Sequence, residues 1–390
     1  MKNRIRGCMI AGAAGDALGY AVEFISRNTI LNNYGNDGIR VFDLDDNGKA
    51  LISDDTQMSL FTANGILWGN TCTHLRGMMG NIQDYVQYAY IDWFYTQTEY
   101  KNKDNTYCTW LRNMKEMASL RAPGNTCMDA CYNLLNNTEV KNNSKGCGGI
   151  MRVAPIALFA ATEKNRGVDY LSESETAYTG SEIARITHKH PLAFLPSAML
   201  SELILKLITM DIADIKEHIS DIILSTIPTM RALYPGKFEK DKDYLANLTE
   251  MAVSLAANDK CDADNIRTLG EGWVGEEAWA IAVYCAVRHI DSVEEAIIAS
   301  VNHDGDSDST GAVTGNIMGA IYGYEYLKER NIFCPEGKHL EDTLELTNII
   351  IALADDLYQG CIINEFSTTD TPEKKQWFER YCEMKPAGIV

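Results

Sequence analysis

Apolar positions recur at three- and four-residue intervals along most of the chain, the spacing that turns one face of a helix toward a core. The pattern predicts helices over 55–69, 76–97, 150–162, 175–188, 192–208, 212–226, 241–257, 276–290, 292–302 and 340–359, while alternation of the strand kind is nearly absent. Two segments carry a different signature. Gly7, Ala11, Gly15 and Gly19 form one row at four-residue spacing, and Gly311, Gly315, Gly319 and Gly323 form another. Glycine costs roughly 1 kcal/mol per helical position relative to alanine. Rows of it on one face therefore predict two helices whose backbones pack closely, at the centre of the domain.

Between these helices, 26–52 holds Asn32-Asn33, Gly35-Asn36-Asp37-Gly38 and Asp45-Asp46-Asn47-Gly48 and reads as a long, turn-rich loop of functional character. A second loop, Asn142 to Gly149, enters a helix at Ile150. No long Pro/Gly/Ser linker divides the chain, so one domain is expected over 1–366, with 367–390 its C-terminal helix and frayed tail.

Composition narrows the function classes. With 35 basic and 54 acidic residues the net charge is -19, against a general nucleic-acid footprint or adhesion to anionic lipid. Eleven cysteines, with no Cys-x-x-Cys pair, predict a reduced, cytoplasmic, non-zinc protein, and Cys127 and Cys131 share a helical face as buried thiols. The basic and apolar N-terminus has the look of a signal peptide, but Asp16 and Glu23 interrupt it, and no apolar run is expected to approach the roughly 20 residues of a membrane span.

Two acidic clusters carry the chemistry. Ser53-Asp54-Asp55-Thr56 and Asp306-Ser307-Asp308-Ser309-Thr310 each stand at the head of a predicted helix. Helix N-termini favour carboxylates and hydroxyls, so either cluster alone reads as a cap. Together they make an all-oxygen set whose mutual repulsion calls for a hard cation, Mg²⁺ or Mn²⁺, and a two-metal site. An EF-hand is excluded by the offset of Gly311 and by Ile317 at the twelfth position.

Six blocks in order, GCMIAGAAGDALGYAVEF, SDDTQMSL, GCGGIMRVAPIAL, ITHKHPLAF, GEGWVGEEAWAIAVYC and NHDGDSDSTGAVTGNIMGAIYG, resemble the signatures of the ADP-ribosylglycohydrolase family, which includes the dinitrogenase-reductase-activating glycohydrolase and the ADP-ribosylarginine hydrolases. The resemblance implies an all-α, compact single-domain orthogonal helical bundle with a binuclear Mg²⁺ or Mn²⁺ site in a central cleft. It implies Ser53, Asp54, Asp55, Asp306, Asp308 and Ser309 as metal ligands, Asp308 bridging. Glu23 matches a family glutamate at the metal site, and Glu23, Asp54 and Asp55 are the candidate catalytic groups.

Gly146, Cys147, Gly148 and Gly149 are expected to cradle a diphosphate with backbone N–H groups. Cys147 stands where the family often has asparagine. Arg152 reads as a phosphate partner or a buried ion pair, Asp16 as a structural hydrogen-bonder and His188 as a residue lining the substrate. Trp273 and Tyr322 read as core or as stacking on adenine, His303 as second to the metal ligands, and Glu276 and Glu277 as complements to a helix dipole. The resemblance implies a metal-dependent hydrolase that removes ADP-ribose from an acceptor, arginine first, with serine-linked, small-molecule or nucleobase-linked ADP-ribose as alternatives. A non-catalytic ADP-ribose binder and a two-metal phosphoesterase are the rivals from other classes.

Overall fold

The computed structural model describes residues 1–77, 80–98, 109–166, 171–364 and 366–382. It is all-α: among the described residues there is no β-strand, only isolated bridges at Ala50–Leu344 and Gly146–Val274. In chain order the helices are α1 Lys2–Tyr20, α2 Arg27–Tyr34, α3 Asp54–Arg76, α4 Ile82–Gln97, α5 Asn125–Leu135, α6 Ala154–Asn165 and α7 Glu173–Arg185. The middle of the chain gives α8 Pro191–Thr209, α9 Ile212–Leu224, α10 Thr226–Ala232, α11 Glu239–Leu255, α12 Asp262–Leu269 and α13 Gly275–Arg288. The remainder is α14 Val293–Val301, α15 Ser307–Tyr322, α16 Tyr324–Arg330, α17 Leu340–Thr343, α18 Thr347–Gln359 and α19 Pro372–Tyr381.

α1 and α15 carry the two glycine rows and pack antiparallel, backbone against backbone. A Cβ on Gly15 would lie 2.1 Å from the Gly311 carbonyl oxygen, one on Gly315 2.0 Å from that of Ala11, and one on Gly319 2.1 Å from that of Gly7. No side chain fits there, which is why glycine is used despite its helix propensity. The pair is central: α1 is buried without interruption from Gly7 to Gly19, and α15 from Ser307 to Ile321.

The antiparallel register has a functional result. It brings the C-terminal end of α1, with Glu23 just beyond it, beside the N-terminus of α15, where the second acidic cluster sits. Asp16 on α1 then accepts hydrogen bonds from the backbone N–H groups of Ser53 (2.9 Å) and Thr56 (3.1 Å) and from the Thr56 hydroxyl, fastening the start of α3 to the same place.

Several expectations are corrected. The 26–52 segment is not all loop: Ser26 accepts the Thr29 N–H and caps α2 over Arg27–Tyr34. The expected 76–97 helix is the end of α3 and all of α4, because α3 runs on to a left-handed Gly77. Ile150 falls inside a 3-10 helix, Cys147–Arg152, and α6 starts only at Ala154. The 340–359 helix breaks at Leu346, which has φ 58°. Besides α2, four helices, α5, α10, α12 and α16, were not anticipated; the last three have 7, 8 and 7 residues, too short for a clear period.

An apolar run of membrane-spanning length does exist. Pro191–Thr209 is long and apolar enough by length and composition, yet 89% of the relevant window is buried inside the fold, as suits a core helix. The C-terminal helix α19 docks on the main body through Trp377 Nε1–H to Thr71 and through Arg380 and Tyr381 to Asp356. The tail from 383 lies outside the described residues.

Candidate active site

The two acidic clusters, about 250 residues apart in sequence, meet on the floor of one cleft with about 200 Å³ of space. Glu23, Asp54, Asp55, Asp306, Asp308 and Ser309 line it, with Gly146, Cys147, Gly148 and His188 on one wall and Ala122, Gly124, Asn125, Thr126 and Cys127 on another. Ser53 and Asp306 serve as the N-caps of α3 and α15, so each cluster points its carboxylates off a helix N-terminus toward the other.

The polar atoms are incompletely matched. Gly124 N–H donates to Asp54 Oδ2 at 3.3 Å, and Ser309 N–H to Asp306 Oδ1 at 3.2 Å and Asp308 Oδ1 at 2.9 Å. Asp55 Oδ2 and Glu23 Oε2 are buried with no partner. Glu23, Asp306 and Asp308 each offer an oxygen within 4.8 Å of the others.

Such crowding is costly without positive charge. Burial, then Asp308, Asp306, Asp54 and Asp16, raise the Glu23 carboxyl to about 10. Burial and Asp308 raise Asp54, Asp55 and Asp306 well above the carboxylate range and Asp16 to about 7. Orphaned carboxylate oxygens that converge from two chain segments on one cleft, with no lysine or arginine among its described lining residues, are what a hard cation site requires, so this donor set fits Mg²⁺ or Mn²⁺.

Some residues do other work than expected. Gly149 faces away from the cleft: a Cβ there would meet Ala184 and the Ala193 carbonyl. In the same loop the Gly146 N–H donates to Ser144 Oγ (3.3 Å) and the Cys147 N–H to the Trp273 carbonyl (3.2 Å), so two of the expected diphosphate donors are already used. Cys147 instead gives its thiol to Asp306 Oδ2 at 2.7 Å, and burial holds that thiol protonated. Ser53 is fully buried, accepts the Asp55 N–H and is not among the residues that line the cleft.

Arg152 is fully buried, yet its partners are Met58 Sδ, Cys127 Sγ, Thr187 Oγ1 and the Tyr90 ring rather than a carboxylate. Trp273 is not core: 40% exposed, it stacks on Phe24 at the cleft mouth, centroids 6.3 Å apart. Tyr322 lies elsewhere, bonded to the Ile290 carbonyl. His303 bonds Thr310 within the α15 start, while Glu276 pairs with Lys145 and Glu277 holds the Glu271 and Gly272 N–H groups. No residue of 26–52 lines the cleft. The wall 122–127 was missed by sequence reasoning, although Pro123-Gly124 followed by Asn125-Thr126 is a turn leading into a helix start.

The family model for ADP-ribosylglycohydrolase matches residues 1–364. The chain belongs to the ADP-ribosylglycohydrolase family. It is 26% identical to the ADP-ribosylhydrolase ARH1 of Dictyostelium discoideum over 277 residues, 57% of this chain and 67% of that protein. To mouse (Mus musculus) ADP-ribosylhydrolase ARH3 it is 23% identical over 218 residues, 51% of this chain and 56% of that protein. The chain thus spans about half to two thirds of the length of several curated relatives it matches. A solved structure titled "ADP-ribosylglycohydrolase-related protein complex" shares the fold, with a TM-score of 0.60 at 20% identity over 92% of this chain and 98% of that one. The fold of this family member is accordingly the all-α fold expected of it.

Proposed function

We propose that this family member hydrolyses the glycosidic bond between ADP-ribose and a modified acceptor, with protein arginine as the acceptor. The observation that carries the reading is the cleft floor, where carboxylates from α3, α15 and the end of α1 converge with orphaned oxygens. Glycosidic cleavage builds positive charge on the ribose ring, and a concave carboxylate surface stabilises it as it develops. A guanidinium acceptor suits the same surface and the net charge of -19.

Two divalent cations, Mg²⁺ or Mn²⁺, would be held by Ser53, Asp54, Asp55, Asp306, Asp308 and Ser309, and when bound would orient the ribose hydroxyls and acidify a water. Glu23 lines the same cleft and carries an unpartnered Oε2, which supports it as the group that exchanges a proton with the attacking water or the departing acceptor. Asp54 and Asp55 are the alternative proton acceptors. The glycine loop supplies room, since side chains at Gly146 or Gly148 would run into His188, while the N–H groups of Gly146 and Cys147 are engaged within the protein.

The test measures release of ADP-ribose from arginine- and serine-ADP-ribosylated proteins with Mg²⁺, with EDTA and with Asp308→Ala. Cation-dependent release from the arginine substrate, reduced at least about 100-fold in the variant, is expected. Release from the serine substrate alone would reassign the acceptor. Liberation of AMP would point to phosphoester cleavage, and binding without turnover to a non-catalytic binder.

A further inference from the structure

Behind the cleft wall, Arg152 Nη2 donates to Thr187 Oγ1 at 2.5 Å, and Thr187 Oγ1 lies 2.8 Å from His188 Nδ1. A threonine hydroxyl has one hydrogen and two lone pairs. Accepting from a guanidinium polarises it, making the hydrogen a stronger donor and the remaining lone pair a poorer acceptor. Imidazole nitrogen is a far better acceptor for that hydrogen than the nearby Cys127 sulfur. The guanidinium charge also favours the imidazole orientation that turns the ring's lone pair toward it and its N–H away. Arg152 has no carboxylate partner among the described residues to cancel this field.

The other ring nitrogen faces the glycine loop. A Cβ on Gly146 would come within 3.1 Å of His188 Nε2, and one on Gly148 within 3.3 Å. The two glycines leave the space in front of Nε2 clear, and Nε2 makes no hydrogen bond among the described residues. The backbone donors at 146 and 147 are committed elsewhere.

We propose that Arg152 and Thr187 are positioning residues that fix His188 as a neutral Nε2–H donor for an oxygen of the ligand's diphosphate. This rests on the ADP-ribose reading above. The relay explains why a fully buried arginine sits in this wall without an acid, and it supplies hydrogen-bonding polarity where the cleft is otherwise acidic.

The experiment uses the full chain, labelled with ¹⁵N-histidine and assigned by His188→Gln, as wild type, Thr187→Val and Thr187→Ser. The imidazole ¹⁵N shifts at pH 7 are expected to show Nε2 protonated and Nδ1 bare in the wild type and Thr187→Ser, and a mixture of tautomers in Thr187→Val. ADP-ribose affinity by calorimetry is expected to fall about 10-fold in Thr187→Val and to stay within about twofold in Thr187→Ser. A wild-type Nδ1–H tautomer would overturn the proposal without any variant having to fold. So would wild-type affinity retained in Thr187→Val. Absence of ADP-ribose binding by a wild type that shows the Nε2–H tautomer would instead overturn the functional reading on which the ligand assignment rests.

Discussion

His188 is held in a place where a charged ring would be costly, for Arg152 lies behind it and little water reaches it. Burial, then Arg152, lower its pKa to about 3, against an ordinary value of 6.5. Between these values the unfolded chain takes up a proton that the native ring refuses. The stability His188 contributes is therefore present above pH 6.5 and is lost as pH falls toward 3, by up to about 1.4 kcal/mol per pH unit. In urea melts at pH 7, 6 and 5 the gap between the wild type and His188→Gln is expected to narrow as pH falls. A gap that stays constant would mean the ring is not held neutral. The charged residues at the floor were legible because hydroxyl-flanked aspartates at two helix starts make a sparse pattern. The thiol of Cys147 on Asp306 was not, because it depends on a contact across 159 residues that no local spacing encodes.

The glycine rows were legible as elements, since four-residue spacing fixes a face and glycine's poor helix propensity demands a packing reason. What they pack on is a tertiary matter that two matching rows only suggest. Gly315→Ala would place a methyl 2.0 Å from the Ala11 carbonyl oxygen, where only backbone movement gives room. The expected loss is about 2–3 kcal/mol in denaturant unfolding. Because Asp306 caps the same helix and Asp308 lies in its first turn, the variant is also expected to bind Mn²⁺ more weakly by calorimetry. A variant with wild-type stability and cation affinity would show that the helices pack less tightly than described. The short helices escaped notice for the opposite reason: with about two turns each, they are held by neighbours rather than by a period of their own.

At the scale of the molecule, the floor concentrates raised carboxylates that oppose the folded state until positive charge reaches them. Titrating metal-free protein with Mg²⁺ or Mn²⁺ at pH 7.5 is expected to raise Tm, equivalent to about 2.7 kcal/mol at a concentration 100-fold above Kd. Asp308→Ala is expected to abolish most of that increase while leaving the helical circular dichroism unchanged, and an equal rise in both proteins would remove the cation from the cleft. The fold class was open to sequence reading because its periodic pattern runs through the whole chain. The arrangement of the walls was not, since residues 122–127 take their place only when the start of α5 docks against Asp54.

The pairing of α1 with α15 also sets a timetable for biosynthesis. α1 leaves the ribosome well before α15, since the surface that covers its glycine face is encoded about 300 residues later. At ~5–20 residues per second that partner arrives on the order of 15–60 s afterwards. Through this interval a small-residue apolar helix stands without its mate and is available to chaperones or to other nascent chains. A ribosome that stalls before residue 306 releases a product lacking both the central packing and the second acidic cluster, so interrupted synthesis yields no partly assembled cleft.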